Sequence, residues 1–322
     1  MRAWRSIGLL ALYVGAQIVA LLLAVPFRSA GLSEGGNPTS VGGPLAIVAV
    51  IVLAPLAILF LARRRGGLWA VRQLILLSIA GALYVTLFAL FSLVLPGPIL
   101  LPPTGGGLAL DFALPLAASA SVAIYLALLI DPQWYVVDLV GFLAAGSLIA
   151  LLGISFAILP VFVLLIALAV YDAIAVYRTR HMLRLADVVS DLKLPILMVM
   201  PNTAGFDYSA ARTFSAERQQ PVEEREAMFM GLGDVVIPGI LIVSAFAWLP
   251  TAPAVAGVGG NLWVAIGALV GSLVGYAVLM RFVLRGNAQA GLPFLNTGAI
   301  LGYLAAFLVV YRSFGFGLTG SL

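Results

Sequence analysis

Nine apolar segments, each about as long as a membrane-spanning helix, dominate this 322-residue chain. A helix that crosses a bilayer needs about 20 mostly apolar residues. Only 9% of the residues are charged, whereas an ordinary soluble domain carries about 25%. The sequence therefore predicts an all-α polytopic membrane protein, 1–322, with nine transmembrane helices in a single membrane domain. The segments lie near residues 6–26, 43–62, 70–95, 110–130, 136–155, 157–177, 228–249, 260–284 and 292–311.

Basic residues predict how these helices are oriented. With nine spans, 15 of the 17 Lys and Arg residues fall on the side that holds the N-terminus. Cytoplasmic loops carry this excess in membrane proteins. We therefore expect a multi-pass protein of the cell membrane with a cytoplasmic N-terminus, an extracytoplasmic C-terminus and no nucleic-acid partner. A signal peptide is the alternative for the first segment, but its apolar run exceeds the usual 7–15 residues.

A long polar stretch, about 178–227, separates the first six helices (about 6–177) from the last three (about 228–311). It is predicted to be a cytoplasmic loop. An apolar run between Pro195 and Pro201 has the length and composition of a strand; a loop segment on the membrane surface is the alternative. Its residues are Ile196, Leu197, Met198, Val199 and Met200.

Residue counts exclude several catalytic chemistries. The chain has no cysteine, which excludes a thiol nucleophile and a cysteine-bound metal. Its single histidine, His181, cannot form the paired-histidine zinc site of helical metalloproteases. A single lysine, Lys193, disfavours a Ser–Lys site in the same way. No metal and no cofactor are predicted.

Two carboxylates lie well inside apolar segments, Asp172 in the sixth and Asp234 in the seventh. Ionisable groups at such positions are costly and mark function by default. Counted from the nearest loop charges, Arg178 and Glu226, both lie about 9–12 Å deep at about 1.5 Å per residue. Because the two helices are consecutive and antiparallel, the side chains can meet. A third carboxylate, Asp138, is interpreted as a helix-start group near the interface.

A pair of aspartates held close together can hydrolyse a peptide bond. Like carboxylates at one site share a proton, so one can activate a water while the other donates to the carbonyl. Gly231 and Gly233 leave the turn before Asp234 without bulk, so another backbone can approach. Pro238 has no N–H, which leaves the Asp234 carbonyl without its helical partner.

Glycines also recur every four residues in the eighth segment, at Gly267, Gly271 and Gly275. Small residues at this spacing let helix backbones approach closely. Packing within the subunit is the prediction, and dimerisation is the alternative.

Three motifs resemble those of the presenilin and signal peptide peptidase family, the GxGD intramembrane aspartyl proteases. The resemblance covers nearly the whole chain, since the nine-helix plan, the orientation and the long loop also match, and it is strongest to microbial presenilin homologues. It implies that Asp172 and Asp234 are catalytic and that the third motif shapes the active-site floor. In that motif Ala290 stands where the family has proline, and Gly291 where it has alanine. The motifs are Tyr171-Asp172, Gly231-Leu232-Gly233-Asp234 and Ala290-Gly291-Leu292-Pro293.

The resemblance implies an intramembrane aspartic endopeptidase that cleaves transmembrane-helix peptide substrates in the lipid bilayer. A proton- or sodium-coupled transporter that uses the paired aspartates is the alternative, although no inverted repeat is evident. A prepilin-type peptidase also has a GxGD aspartate but leaves the other two motifs unexplained. No obligatory helper subunit is evident from the sequence, and a homo-oligomer stays open.

The predicted strand suggests how substrate is held. A substrate helix must unwind before its carbonyls can react, and its freed backbone then needs new partners. We expect residues 196–200 to pair with it by strand addition, with Leu292 and Pro293 lining the same groove. Of the Leu197 and Val199 N–H groups, only one is expected to face the substrate.

Overall fold

The computed structural model describes residues 2–32, 37–62, 66–95, 99–100, 109–110, 112–179, 194–203, 205–208, 220, 224–285 and 289–318. Most of the predicted loop at 178–227 lies outside these residues, and so do His181 and Lys193.

Nine α-helices make up most of the described chain, as the apolar segments predict. A π-helical turn at Ala175–Thr179 follows the sixth helix directly. The helices are α1 (Arg2–Ser29), α2 (Gly42–Ala62), α3 (Gly67–Val94), α4 (Ala113–Ile130), α5 (Trp134–Ser155), α6 (Ile158–Ile174), α7 (Leu232–Trp248), α8 (Gly260–Val283) and α9 (Gly291–Tyr311).

Within the described residues there are also three antiparallel strand pairs. Two of them are two-residue strands in loops, and the third joins the region before α7 to the predicted strand. The strands are β1 (Ile99–Leu100) with β2 (Ala109–Leu110), β3 (Leu197–Pro201) with β4 (Ala227–Gly231), and β5 (Ala254–Val255) with β6 (Val258–Gly259).

Length and apolar composition qualify seven of the described helices as membrane spans. The seventh helix, α7, is apolar but has only 17 residues. It begins at Leu232, not at 228 as predicted, because residues 227–231 form strand β4. At about 1.5 Å per residue, α7 spans less than the ~30 Å hydrocarbon core. The chain therefore enters this helix from an extended strand, a few residues before Asp234.

The α7 helix lies at the centre of the bundle. It contacts α1, α5, α6, α8 and α9, and every residue from Val235 to Ala245 is buried. By contrast, α2, α3 and α4 expose large apolar side chains such as Leu53, Leu74 and Leu126. In a membrane protein such faces contact lipid. Lipid tails are as apolar as these side chains, so leaving them exposed there carries no hydrophobic cost.

The predicted small-residue stripe packs α8 against α9 within the same chain. A Cβ atom built on Gly271 would lie 2.8 Å from the Gly302 Cα. One turn along in each direction, Gly267 faces Ala306 and Gly275 faces Phe294. The prediction of packing within the subunit is confirmed. The close approach fixes where α9 begins relative to the rest of the bundle.

Candidate active site

Asp172 and Asp234 meet at the N-terminus of α9. The Leu292 backbone N–H donates to Asp172 Oδ2 at 3.1 Å, and the Gly291 N–H also bonds to this carboxyl. On its other side, Gly291 lies against the Asp234 carboxyl, because a Cβ built there would be 2.7 Å from Asp234 Oδ1. Both carboxyls therefore contact one short backbone segment, since consecutive Cα atoms are only about 3.8 Å apart.

Each aspartate comes from a helix end with unusual backbone geometry. Asp172 lies in the last turn of α6 and is 6% exposed, directly before the π-helical turn. Such turns are rare and occur often at functional sites. Asp234 lies in the first turn of α7, after the extended residue Gly231. The dyad is thus formed where one helix ends, another begins and a third, α9, points its N-terminus at both.

Two helix N-termini offset the cost of carboxylates in this apolar surrounding. Asp234 sits in the first turn of α7, and Asp172 faces the first N–H groups of α9. The N-terminus of a helix carries a partial positive charge and unsatisfied N–H donors, so it favours a negative group. The arrangement can hold one negative charge and one proton between two carboxyls.

Gly233 borders open space beside Asp234. Apart from its chain neighbours and the backbone of its own helix, no atom of the described residues lies within 4 Å of a Cβ built on Gly233. A Cβ built on Gly231 would lie 3.5 Å from Asp234 Oδ2. Of the two glycines before Asp234, Gly233 therefore leaves room for another backbone, whereas a side chain at Gly231 would contact the carboxyl.

The third motif forms the start of α9. Ala290 is buried and caps the helix in an extended conformation, and Leu292 and Pro293 lie half-buried in its first turn. Asn296, one turn further, donates to the Leu165 carbonyl of α6 at 2.9 Å. This buried bond ties α9 to the helix that carries Asp172.

Tyr177 is a site residue that the sequence analysis missed. Its hydroxyl donates to Gln289 Oε1 at 2.6 Å and accepts from the Ala290 N–H at 3.5 Å. The π-helical turn after Asp172 thereby holds the start of the third motif. A tyrosine five residues after Asp172 gives no such signal by itself, because tyrosine is common at membrane interfaces. Tyr171, the predicted motif residue, is half-buried next to Asp172.

The predicted strand exists, and its register decides which groups face outward. The Leu232 N–H donates to the Ile196 carbonyl at 3.0 Å, and the Asn202 N–H to the Glu226 carbonyl at 2.7 Å. Hydrogen-bonded pairs alternate in an antiparallel ladder, so Met198 and Met200 also bond to β4. Five residues of β3 pair with β4, from Leu197 opposite Gly231 to Pro201 opposite Ala227.

The outward-facing groups of β3 are therefore those of Leu197 and Val199. Strand alternation does not support the expectation that only one of these N–H groups faces the substrate, because residues two apart in a strand point the same way. The Val199 N–H is also occupied, since it donates to Asp138 Oδ1 at 2.7 Å. Asp138 is 5% exposed, so its interpretation as an interfacial helix-start group is wrong as well. It holds the outer edge of β3 against α5.

Comparisons with known proteins find a matching family and similar solved structures. A family described as signal-peptide peptidase, presenilin aspartyl protease matches residues 10–311. Two crystal structures, each of a presenilin family intramembrane aspartate protease, are also similar. One is 33% identical over 94% of this chain and 97% of its own, with a TM-score of 0.63. The other is 31% identical over 95% of this chain and 99% of its own, with a TM-score of 0.65. No curated protein sequence matches.

Proposed function

The chain belongs to the family of signal-peptide peptidases and presenilin aspartyl proteases, and from this premise we propose that Asp172 and Asp234 are its catalytic pair. It is a multi-pass membrane protein and an intramembrane aspartic endopeptidase. Family membership decides against the transporter and the prepilin-type peptidase. The observation that supports these roles is that both carboxyls lie at the start of α9. Asp172 accepts the Leu292 N–H, and Asp234 lies against Gly291.

The hydrogen bonds suggest how the two aspartates divide the work. Asp172 accepts the Leu292 N–H, so the negative charge is assigned to Asp172 and the shared proton to Asp234. Asp172 takes a proton from a water as that water attacks the scissile carbonyl carbon, and Asp234 protonates the carbonyl oxygen. The result is a neutral tetrahedral gem-diol. In the second step Asp172 returns its proton to the amide nitrogen, Asp234 takes one from a gem-diol hydroxyl, and the C–N bond breaks.

We propose that the substrate is an unwound stretch of a transmembrane helix. Helical carbonyls are engaged in i to i−4 bonds, so none can be attacked until the helix opens. The open space at Gly233 supports entry of an extended backbone beside Asp234. The lipid bilayer supplies the substrate by lateral diffusion, and the proposal needs no helper subunit.

We propose that the unwound substrate extends the β3–β4 sheet, and that it pairs with β4. The outer edge of β3 lies against α5, where Asp138 binds Val199. The outer edge of β4 ends at Gly231, three residues before Asp234. Residues 196–200 then form the inner strand that backs the substrate-pairing strand, with Leu292 and Pro293 bordering the same groove.

Replacing Gly231 with proline tests this pairing. Gly231 has a φ of −65°, which proline adopts, and its N–H points away from β3. Gly231→Pro should therefore reduce cleavage by about fivefold, while the unfolding temperature of the purified protein stays within a few degrees. About 1 kcal/mol for one lost hydrogen bond sets this scale.

The matched control is Gly231→Ala, which keeps the N–H and adds a methyl at ordinary contact distance from Asp234. It should cleave faster than Gly231→Pro. If Gly231→Pro cleaves as well as Gly231→Ala but Leu197→Pro does not, the substrate pairs with β3 and not with β4.

The pH dependence of cleavage follows from the shared proton. One aspartate must be ionised and the other protonated, so the rate should be bell-shaped in pH. Single-turnover rates, which isolate the chemical step, are the appropriate measurement. A profile that is flat from about pH 4 to about pH 9 contradicts the acid–base pair.

We also propose that the dyad lies towards the cytoplasm. Arg5, Arg72 and Arg281 lie at the dyad end of their helices, whereas Arg28 and Arg312 lie at the opposite end. The positive-inside rule then places the N-terminus in the cytoplasm and the C-terminus outside.

Purified protein and a synthetic single-pass helical peptide in detergent micelles test the function. Mass spectrometry of the products should show cleavage within the apolar stretch. A peptide isostere with a hydroxyl in place of the scissile carbonyl should inhibit, because it mimics the gem-diol. Intact peptide after prolonged incubation, in protein that keeps its fold, contradicts the proposal.

A further inference from the structure

Gln17 is a buried amide in the middle of an apolar helix. It lies near the centre of the 28-residue α1 and is 0% exposed. It belongs to none of the three motifs. A polar side chain in such surroundings is costly unless it has a specific partner.

The partner is the first turn of α7. Gln17 Nε2 donates to the Val235 carbonyl at 2.9 Å. A carbonyl only accepts hydrogen bonds, so the amide must present its nitrogen there. Val235 directly follows Asp234, and the bond therefore acts on the backbone next to a reacting carboxyl.

That turn has lost one of its own hydrogen bonds. Pro238 lies inside α7 and offers no N–H to the Asp234 carbonyl four residues earlier. Its ring also crowds that carbonyl. The Val235 carbonyl is the next one along the chain, and a carbonyl oxygen has a second lone pair for Gln17. Gln17 thus anchors the turn from outside at the point where Pro238 weakens it.

The surroundings of Gln17 fit this contact. A Cβ built on Gly239 would lie 3.0 Å from Gln17 Cδ and 2.8 Å from Ile149 Cδ1, so a side chain there would displace the amide. Gln17 Oε1 finds no hydrogen-bond partner among the residues that the structure describes. Leaving an acceptor unpaired lowers stability, so stability alone does not explain this residue.

We propose that Gln17 is a positioning residue for Asp234. Through the Val235 carbonyl it holds the first turn of α7 so that the Asp234 carboxyl stays at the start of α9, beside Asp172. Gln17 touches neither substrate nor the reacting atoms. The proposal rests on the proposed function, because it assigns Gln17 a role in that same reaction.

Gln17→Met keeps the side-chain length and removes the donor. A displacement of about 1 Å in a reacting group costs up to about 10²-fold in rate, so kcat for the helical peptide should fall by about 10- to 100-fold. KM should stay nearly constant, because the substrate-binding groups are unchanged.

Asn261→Leu is the matched control. Asn261 Nδ2 also donates to a carbonyl of α7, that of Phe246 at 2.7 Å, but twelve residues after Asp234. The two variants should lower the unfolding temperature to a similar extent, and only Gln17→Met should lower kcat. Equal losses of kcat in both variants, or a normal kcat in Gln17→Met, overturn the proposal.

Gln17→Glu distinguishes a positioning role of this side chain from a packing role, because pH changes its ability to donate a hydrogen bond within a single variant. A protonated glutamic acid can donate to the Val235 carbonyl, whereas an ionised one cannot. The cleavage rate relative to the wild type should therefore be highest at acidic pH and decline as the pH rises. A ratio that is constant with pH indicates a merely structural side chain and overturns the proposal.

The wild type and Asp234→Ala, assayed alongside, distinguish a failure of the proposed function from a failure of the role of Gln17 alone. A wild type that does not cleave refutes the proposed function and the role of Gln17 with it. A wild type that cleaves, an inactive Asp234→Ala and a fully active Gln17→Met refute the role of Gln17 alone.

Discussion

Replacing either Asp172 or Asp234 with alanine is expected to abolish cleavage while the protein still folds and inserts into the membrane. Each change removes one half of a shared acid–base unit, and each such role contributes about 10²- to 10⁴-fold in rate. Because the two residues act together, the double variant should be no worse than either single one. Turnover of the helical peptide and the unfolding temperature are the measurements.

Asp131→Ala is the control for these variants, because Asp131 is an exposed carboxylate at the end of α4. It should cleave at the wild-type rate. A single dyad variant that keeps near-normal turnover contradicts the assignment of that aspartate. A double variant far slower than both singles contradicts the shared mechanism.

Gly291→Val is expected to lower turnover by about 10²-fold. The new Cβ would lie 2.7 Å from Asp234 Oδ1 and 2.8 Å from Oδ2, so the carboxyl must move. A shift of about 1 Å in a reacting group is enough for a loss of this size. Gly291→Ala should give a smaller loss, because a single methyl requires a smaller displacement of Asp234. Measuring kcat should show that turnover decreases from the wild type to Gly291→Ala to Gly291→Val.

The control for Gly291 is Gly81→Val in α3. Gly81 is exposed, and a Cβ built on it meets no atom within 4 Å in the part of the chain that the structure describes, apart from its chain neighbours and the backbone of its own helix. It should leave turnover unchanged. Wild-type turnover in Gly291→Val means that the start of α9 does not position Asp234.

The sequence was sufficient to locate the apolar segments and the two aspartates within them. Apolar segments of spanning length have few alternatives in a bilayer, because every backbone polar group needs an internal partner. Counting residues from the loop charges also predicted that Asp172 and Asp234 could meet, although residues 227–231 form strand β4 and not part of the helix. The strand between the two prolines was also recognisable, because strand composition and strand length coincide there.

The sequence did not predict where α7 begins. Residues 228–231 are as apolar as the helix that follows, and apolar composition does not distinguish a strand from a helix over so short a run. Pairing with β3 decides it, since the Leu232 N–H bonds to the Ile196 carbonyl. The two partners lie 36 positions apart in the chain, and no local pattern links them.

The sequence by itself determined that this chain is a membrane protein with two aspartates able to share one depth. Hydrophobicity and helix length are local properties of the chain. In a bilayer they determine the depth of a residue along the membrane normal. Only the tertiary structure decided what surrounds the aspartates at that depth. Gly291 against Asp234, Asp138 on Val199 and Gln17 on Val235 each join distant parts of the chain. Such contacts depend on which helices are neighbours and how each is rotated about its axis, and a nearly uniform apolar sequence does not encode that rotation locally.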